Sequence, residues 1–247
     1  MNKLCIITHG RTGSTGLIRV LHQNFYNTNK ENYRKIFAVG EILSDSYMQD
    51  FDINEYDAPI YNYKDSLILD KKKIDTKSYI LQFINIAEKT SSSLFVFKIV
   101  ISSDEDLNNI YLNIIPVLDS FGFKYIYLTR NAIDSYISNL KAKNINHWRD
   151  VDTTDIKVDM DMTGLYQYIN WTNFCISTIT NSIQKISIID YKWLFQKDHL
   201  VATFNHMLNI AIGDKIKYFN HDEGIDPGIK QDRNTSIYES VPIVVSK

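Results

Sequence analysis

An α/β fold, with a central parallel sheet and helices on both of its faces, is predicted by three features of the chain. Strand-like and helix-like segments alternate along most of its 247 residues. The runs Leu94-Phe95-Val96-Phe97 and Ile186 to Ile189 read as strands buried on both faces, which is the mark of parallel sheets covered by helices. A glycine-rich turn, Gly10 to Gly16, carries the first of these strands into the first helix.

Each element has its own local reason. The first strand, residues 3–8, is an apolar run, and the helix over 14–25 places Leu17, Ile18, Leu21 and Phe25 on one face. A strand at 36–39 and a helix at 40–50 follow, then a Tyr- and Asp-rich connection through about Asp75. Beyond it the pattern predicts a helix at 77–90, a strand at 94–101 and a helix at 105–121. Pro116 marks a bend there because it has no N–H to give. A strand at 124–129 leads to a helix at 131–143, opened by Asn131 with Asp134 three residues on, a helix N-cap pair. A helix at 163–184, a strand at 186–190 and a helix at 199–211 complete the pattern. No internal repeat is present, and residues 1–247 read as one domain.

Composition sets bounds. With 44% hydrophobic and 23% charged residues, the chain is long enough to bury a sizeable core. A net charge of −2 provides no global field for nucleic acid or acidic membranes, so any anion binding must be local. Cys5 and Cys175 fall in a strand and a helix and imply no disulfide framework, which suits a reducing, cytoplasmic setting. The first strand begins by about Lys3, which leaves no room for a signal peptide, and no apolar run reaches the roughly 18 residues of a membrane span.

The turn itself, Thr8-His9-Gly10-Arg11-Thr12-Gly13-Ser14-Thr15-Gly16, is suited to hold phosphate. Gly10, Gly13 and Gly16 let the backbone approach an anion, Ser14 and Thr15 add hydroxyls, and the free N–H groups at the helix start favour negative charge. A nucleoside-triphosphate loop would carry a Lys before the Ser-Thr pair, and this one does not. Its cation, Arg11, comes early.

That order resembles the loop of sulfotransferases that use 3′-phosphoadenosine 5′-phosphosulfate (PAPS) and release its desulfonated product PAP. The match is Arg11-Thr12-Gly13-Ser14-Thr15, which in the family grips the 5′-phosphosulfate. A second segment, Tyr125-Ile126-Tyr127-Leu128-Thr129-Arg130 running on to Ser138, is similar to the family's strand-end Arg with a Ser eight residues later, the pair that binds the 3′-phosphate. Ile186 to Phe195 is similar to a family strand that ends in a Tyr, although Lys192 and Trp193 replace the usual acidic pair. Ile229-Lys230-Gln231-Asp232 resembles a late basic segment that reaches the nucleotide, making Lys230 and Arg233 candidate contacts. The resemblance implies a P-loop-like domain of the bacterial, carbohydrate-acting kind. The irregular stretches at about 51–76 and 144–162 would then carry acceptor recognition.

Sulfonate transfer needs an acceptor hydroxyl attacking in line, a base for its proton, and cations facing the charge that grows on the departing phosphate oxygen. Arg11 fits the last task because it stays charged at any working pH. Lys98 resembles a family Lys near the sulfonate. The His that cytosolic members place two residues after it is here Val100, so that route to a base is closed. Glu41, in Val39-Gly40-Glu41-Ile42-Leu43, resembles the Gly-Glu pair of members acting on sugars and is the favoured base. His147 and His9 are the alternatives.

Other features read blandly. Asp150, Asp152, Asp155, Asp159 and Asp161 lack the Gly and terminal Glu of a calcium loop, so no metal site is expected. Trp148, Trp171 and the tyrosines at 56, 61 and 63 name no substrate; the partner expected is a carbohydrate or other small-molecule acceptor. Two rival functions remain: a magnesium-dependent P-loop kinase using Asp190 as its metal-holding acid, and a non-catalytic binding module on the same fold.

Overall fold

The computed structural model describes residues 1–27, 34–44, 63, 66–68, 73–146, 155–194 and 200–213. In chain order they form β1 (Asn2–His9), α1 (Ser14–Asn27), β2 (Ile36–Ala38), α2 (Thr76–Lys89), β3 (Leu94–Ile101) and α3 (Asp104–Asn109). A π-helical turn (Ile110–Ile114) leads into α4 (Ile115–Ser120), β4 (Lys124–Thr129), α5 (Ala132–Ile145), α6 (Met162–Ser182), β5 (Ile186–Asp190), α7 (Tyr191–Leu194) and α8 (Leu200–Ile212). All five strands are parallel, in the order β2-β3-β1-β4-β5. The predicted α/β architecture, a central parallel sheet with helices on both faces, is therefore present.

Strand alternation sorts the core into two layers. Cys5, Ile7, Phe95, Phe97, Tyr125 and Tyr127 point to the side covered by α2, α3, α4 and α6. Leu4, Ile6, Leu94, Val96, Ile126 and Leu128 point to the side covered by α1 and α8. Successive strand residues face opposite ways, so a central strand must be apolar throughout to satisfy both layers. Leu4 to Ile7 of β1 and Leu94 to Phe97 of β3 meet that condition. The expectation for Ile186 to Ile189 holds only on one face, since Ile188 is 55% exposed while Ile189 is buried.

β1 sits in the middle of the sheet. Its connection through α1 leaves to one face, whereas those following β3 and β4 leave to the other. Such a divergence opens a crevice at the carboxyl ends of the strands, where ligands of open α/β sheets bind.

Two local expectations differ from the structure. Residues 40–44 form a turn, closed by the Ser44 N–H donating to the Glu41 carbonyl at 2.7 Å, rather than the start of a helix at 40–50. The sheet ladder explains this: Val39 donates to the Val96 carbonyl at 2.9 Å and Lys98 to the Gly40 carbonyl at 3.2 Å, which holds the chain extended through Gly40. Residues 45–50 lie outside the described residues. The predicted helix at 105–121 is divided by the π turn, in which the Ile115 N–H reaches back five residues to the Ile110 carbonyl. Pro116 cannot donate to residue 112 and its ring would crowd that carbonyl, so one extra residue is taken into the turn just before it.

Of the segments expected to recognise an acceptor, most of 51–76 and residues 147–154 of 144–162 lie outside the described residues. Asp161, from the acidic stretch, caps α6 by accepting from the N–H groups of Thr163 and Gly164, each at 3.0 Å. Among the described residues no helix is long and apolar enough to cross a membrane.

Candidate functional site

The loop between β1 and α1 lies at the carboxyl edge of the sheet. Two of its residues take the left-handed conformation, Arg11 at φ 67° and Gly13 at φ 77°. Such a backbone turns successive N–H groups towards a common centre. The first intrahelical bond of α1 runs from the Leu17 N–H to the Gly13 carbonyl at 3.1 Å. By helix geometry, the N–H groups of Ser14, Thr15 and Gly16 have no carbonyl of their own helix to reach. Arg11, as a non-glycine residue, bears about 1–3 kcal/mol of backbone strain there, of the kind that gathers at ligand-holding turns.

Side chains from four elements lock the loop. Thr12 is fully buried and its hydroxyl engages that of Thr8 and the His9 carbonyl, the latter at 3.2 Å. What Thr12 offers a ligand is therefore its backbone. Thr8 in turn donates to the Leu128 carbonyl at 2.9 Å, tying the loop to β4. From α6 the Tyr168 hydroxyl donates to the Gly10 carbonyl at 3.3 Å. From α7 the Tyr191 ring lies against Gly13 so closely that a Cβ there would overlap it. Gly13→Ala is thus expected to destabilise the fold by about 1–3 kcal/mol and to weaken anion binding. Thermal melting with and without PAP checks both effects.

The second predicted phosphate segment meets the first. Asn131 caps α5 as expected, accepting from the N–H groups of Ile133 at 2.9 Å and Asp134 at 3.3 Å. That fixes Arg130 just before the helix and Ser138 on its second turn. Arg130 donates from Nη1 to the Arg11 carbonyl at 3.2 Å and stands over the Tyr191 ring, 5.0 Å from its centroid. Arg11 donates from Nε to the hydroxyl of Ser138 at 3.1 Å. Burial, then the charge of Arg130, lower the Arg11 pKa from its ordinary value, with Tyr168 opposing. Two guanidinium groups pressed together in a half-buried place are relieved by an anion, which fits a phosphate or sulfonate group.

A second cluster stands on the other side of the loop. Lys98, 5% exposed on β3, donates from Nζ to Thr15 Oγ1 at 3.0 Å and Ser14 Oγ at 3.4 Å. The same Nζ lies 2.9 Å from Glu41 Oε1. The β2–β3 ladder that keeps Gly40 extended is what delivers Glu41 to this point. Both residues line a cavity of about 500 Å³, bounded by the segment after β2, the carboxyl end of β3, α3 and the π turn.

The predicted residues Gly10, Arg11, Thr12, Gly13, Ser14, Thr15, Glu41, Lys98, Arg130 and Ser138 thus come together around one loop. His147, Lys230 and Arg233 lie outside the described residues. His9, the alternative base, is fully buried beneath the loop against Tyr127 and Tyr168. An imidazole so enclosed does not reach an acceptor. Asp190, the acid a kinase would need, accepts from the Lys192 N–H at 2.7 Å and lies two strands from β1.

Burial lowers the His9 pKa from 6.5 to about 4. The unfolded chain therefore takes up that proton at a higher pH than the folded one, and stability falls as pH drops from 6.5 towards 4. The full loss is up to about 3 kcal/mol. Wild-type melting should be more acid-sensitive than that of His9→Leu across this interval.

Tyr168 and Tyr191 were not singled out as site residues by the sequence. Tyr168 has a signal there, since Leu165, Tyr168, Thr172, Cys175 and Ile179 share the helical spacing of the buried face of α6. A phenol on such a face needs a partner, and the loop carbonyl provides one. Burial pushes its pKa up to about 12, so it stays a donor.

No family model and no curated protein matches the chain. Among solved structures, the chain is similar to a crystal structure of retinol dehydratase in complex with androsterone and inactive cofactor PAP. The two are 11% identical with a TM-score of 0.37, over 84% of this chain and 59% of that one. The chain spans about three fifths of that protein's length.

Proposed function

We propose that the protein is a PAPS-dependent sulfotransferase acting on a hydroxyl of a carbohydrate or other small-molecule acceptor. The observation that carries this reading is the placement of Lys98, which touches the loop hydroxyls and Glu41 and lines a cavity. A cation and a carboxylate so placed suit a reaction in which charge leaves towards the loop and a proton leaves towards the cavity.

When bound, PAPS would supply an activated sulfonate, whose transfer to the acceptor oxygen breaks the bond from sulfur to the phosphate oxygen and leaves PAP. The N–H groups at the start of α1, with Ser14, Thr15 and Gly13, would hold the 5′-phosphosulfate. Arg130 and Ser138 would hold the 3′-phosphate, and Arg11 would stand between the two. Glu41 would take the proton of the attacking hydroxyl as its oxygen bonds to sulfur. Lys98 and Arg11 would face the negative charge left on the phosphate oxygen, and most of the rate gain would come from that preorganised field.

The reading takes residues 1–247 as one sulfotransferase-like domain, with segments 51–76 and 144–162 completing the acceptor side, and with His147, Lys230 and Arg233 as further contacts. It places the enzyme in the cytoplasm, in keeping with the buried free thiols of Cys5 and Cys175.

Recognition of the 3′-phosphate gives a direct test. PAP should bind roughly a hundredfold more tightly than adenosine 5′-monophosphate, which lacks that group, as expected for a charge-assisted contact to Arg130. Titration calorimetry with both nucleotides checks it, and equal affinities would sink the proposal.

A further inference from the structure

Resting on the sulfotransferase reading, the cavity beside Glu41 carries a statement about the acceptor. Three of its described lining residues are charged: Glu41, Lys98 and Asp106. Lys98 is matched by Glu41 at 2.9 Å. Asp106 forms no salt bridge among the described residues; its Oδ2 accepts from the Ser102 N–H at 3.0 Å. The described lining is therefore negative by one charge, and the extra charge is on α3.

The remaining walls are divided. Ser44, Thr76, Ser102 and Asn109 provide polar groups, whereas Leu43, Ile99, Val100, Ile110 and Ile114 provide apolar ones. Ile110 and Ile114 are the two ends of the π turn. Single π turns of this kind are frequent at functional sites. Here the turn forced by Pro116 supplies part of the apolar wall.

We infer that the acceptor is a neutral or cationic hydroxyl compound that also carries apolar surface, and that Asp106 is the residue that selects against acidic acceptors. A carboxylate in this cavity would meet Asp106 and Glu41, and it would also stand near the anionic donor. An ammonium group would be matched by Asp106. Like charges set close together at a recognition site are costly and suppress the wrong partner.

The test uses three probes of one shape: para-(aminomethyl)benzyl alcohol, benzene dimethanol and para-(hydroxymethyl)benzoate. Their affinities are measured by ligand-observed saturation-transfer NMR on the full chain, with and without PAP. The amine should bind about tenfold more tightly than the carboxylate, with the diol between them. Asp106→Asn keeps an oxygen for the Ser102 N–H, and it should bring the amine and carboxylate to within about twofold of each other. A carboxylate bound as well as the amine, an unchanged ratio in Asp106→Asn, or no binding by any of the three would overturn the inference. Failure of PAP to bind would remove the sulfonate reading, while the probe ranking without PAP would still test the cavity's selectivity. Binding of PAP together with a preference for the carboxylate would remove only the statement about Asp106.

Discussion

Glu41→Gln should lower turnover by about 10²- to 10⁴-fold while leaving PAP affinity within about twofold of wild type. The glutamine keeps the length of the side chain and an oxygen for Lys98, whose Nζ stands 2.9 Å from Glu41 Oε1. What it loses is the capacity to take a proton from the acceptor hydroxyl. The assay is formation of PAP from PAPS with whichever hydroxyl probe the cavity binds. Turnover within a few fold of wild type would mean that the base is elsewhere, and His147 would be the next variant to make. A fall in PAP affinity equal to the fall in rate would instead place Glu41 in nucleotide binding.

Arg11→Ala and Arg130→Ala should each nearly abolish PAP binding, by a factor of about 10² to 10³, because each removes a charge held in a half-buried place. The two are not independent. Arg130 donates to the Arg11 carbonyl, and Arg11 donates to Ser138, so each residue positions the other's segment. The double variant should lose less than the sum of the single losses. Thermal melting of each variant without ligand separates loss of binding from loss of fold. Arg130→Ala also leaves the Tyr191 ring without its cation, although the ring remains held against Gly13. Unaltered affinity in both single variants would end the sulfotransferase reading.

The parts of this site that were legible in the sequence are those set by short-range chemistry. Asn131 as a cap, Pro116 as a bend and the apolar runs of β1 and β3 each follow from a few neighbouring residues. What was not legible depends on partners distant in the chain. The turn at 40–44 replaces a helix because Lys98, on another strand, bonds the Gly40 carbonyl. Thr12, expected at the ligand, points its hydroxyl inward because Thr8 lies beneath it. Ile188 is exposed because the face it shares with Ile186 is incompletely covered, which no local pattern reveals. Tyr168 and Tyr191 reach the loop from helices over 150 residues further along the chain, and only the packed structure brings them there.

The pairing of Lys98 with Glu41 is of the same kind. Each was singled out in isolation, one as a cation and one as a base. Their contact through the β2–β3 ladder, and the cavity that opens beside them, turn two separate candidates into one arrangement.

The most direct test of the central claim is thermal stability of the full chain with PAP, beside ADP with magnesium. At about one hundred times the dissociation constant a ligand stabilises by roughly 2.7 kcal/mol, which is several degrees in a chain of this size. The arrangement of Arg11, Arg130 and the loop predicts a shift with PAP and none with ADP and magnesium. A shift only with ADP and magnesium, or with neither, would contradict it.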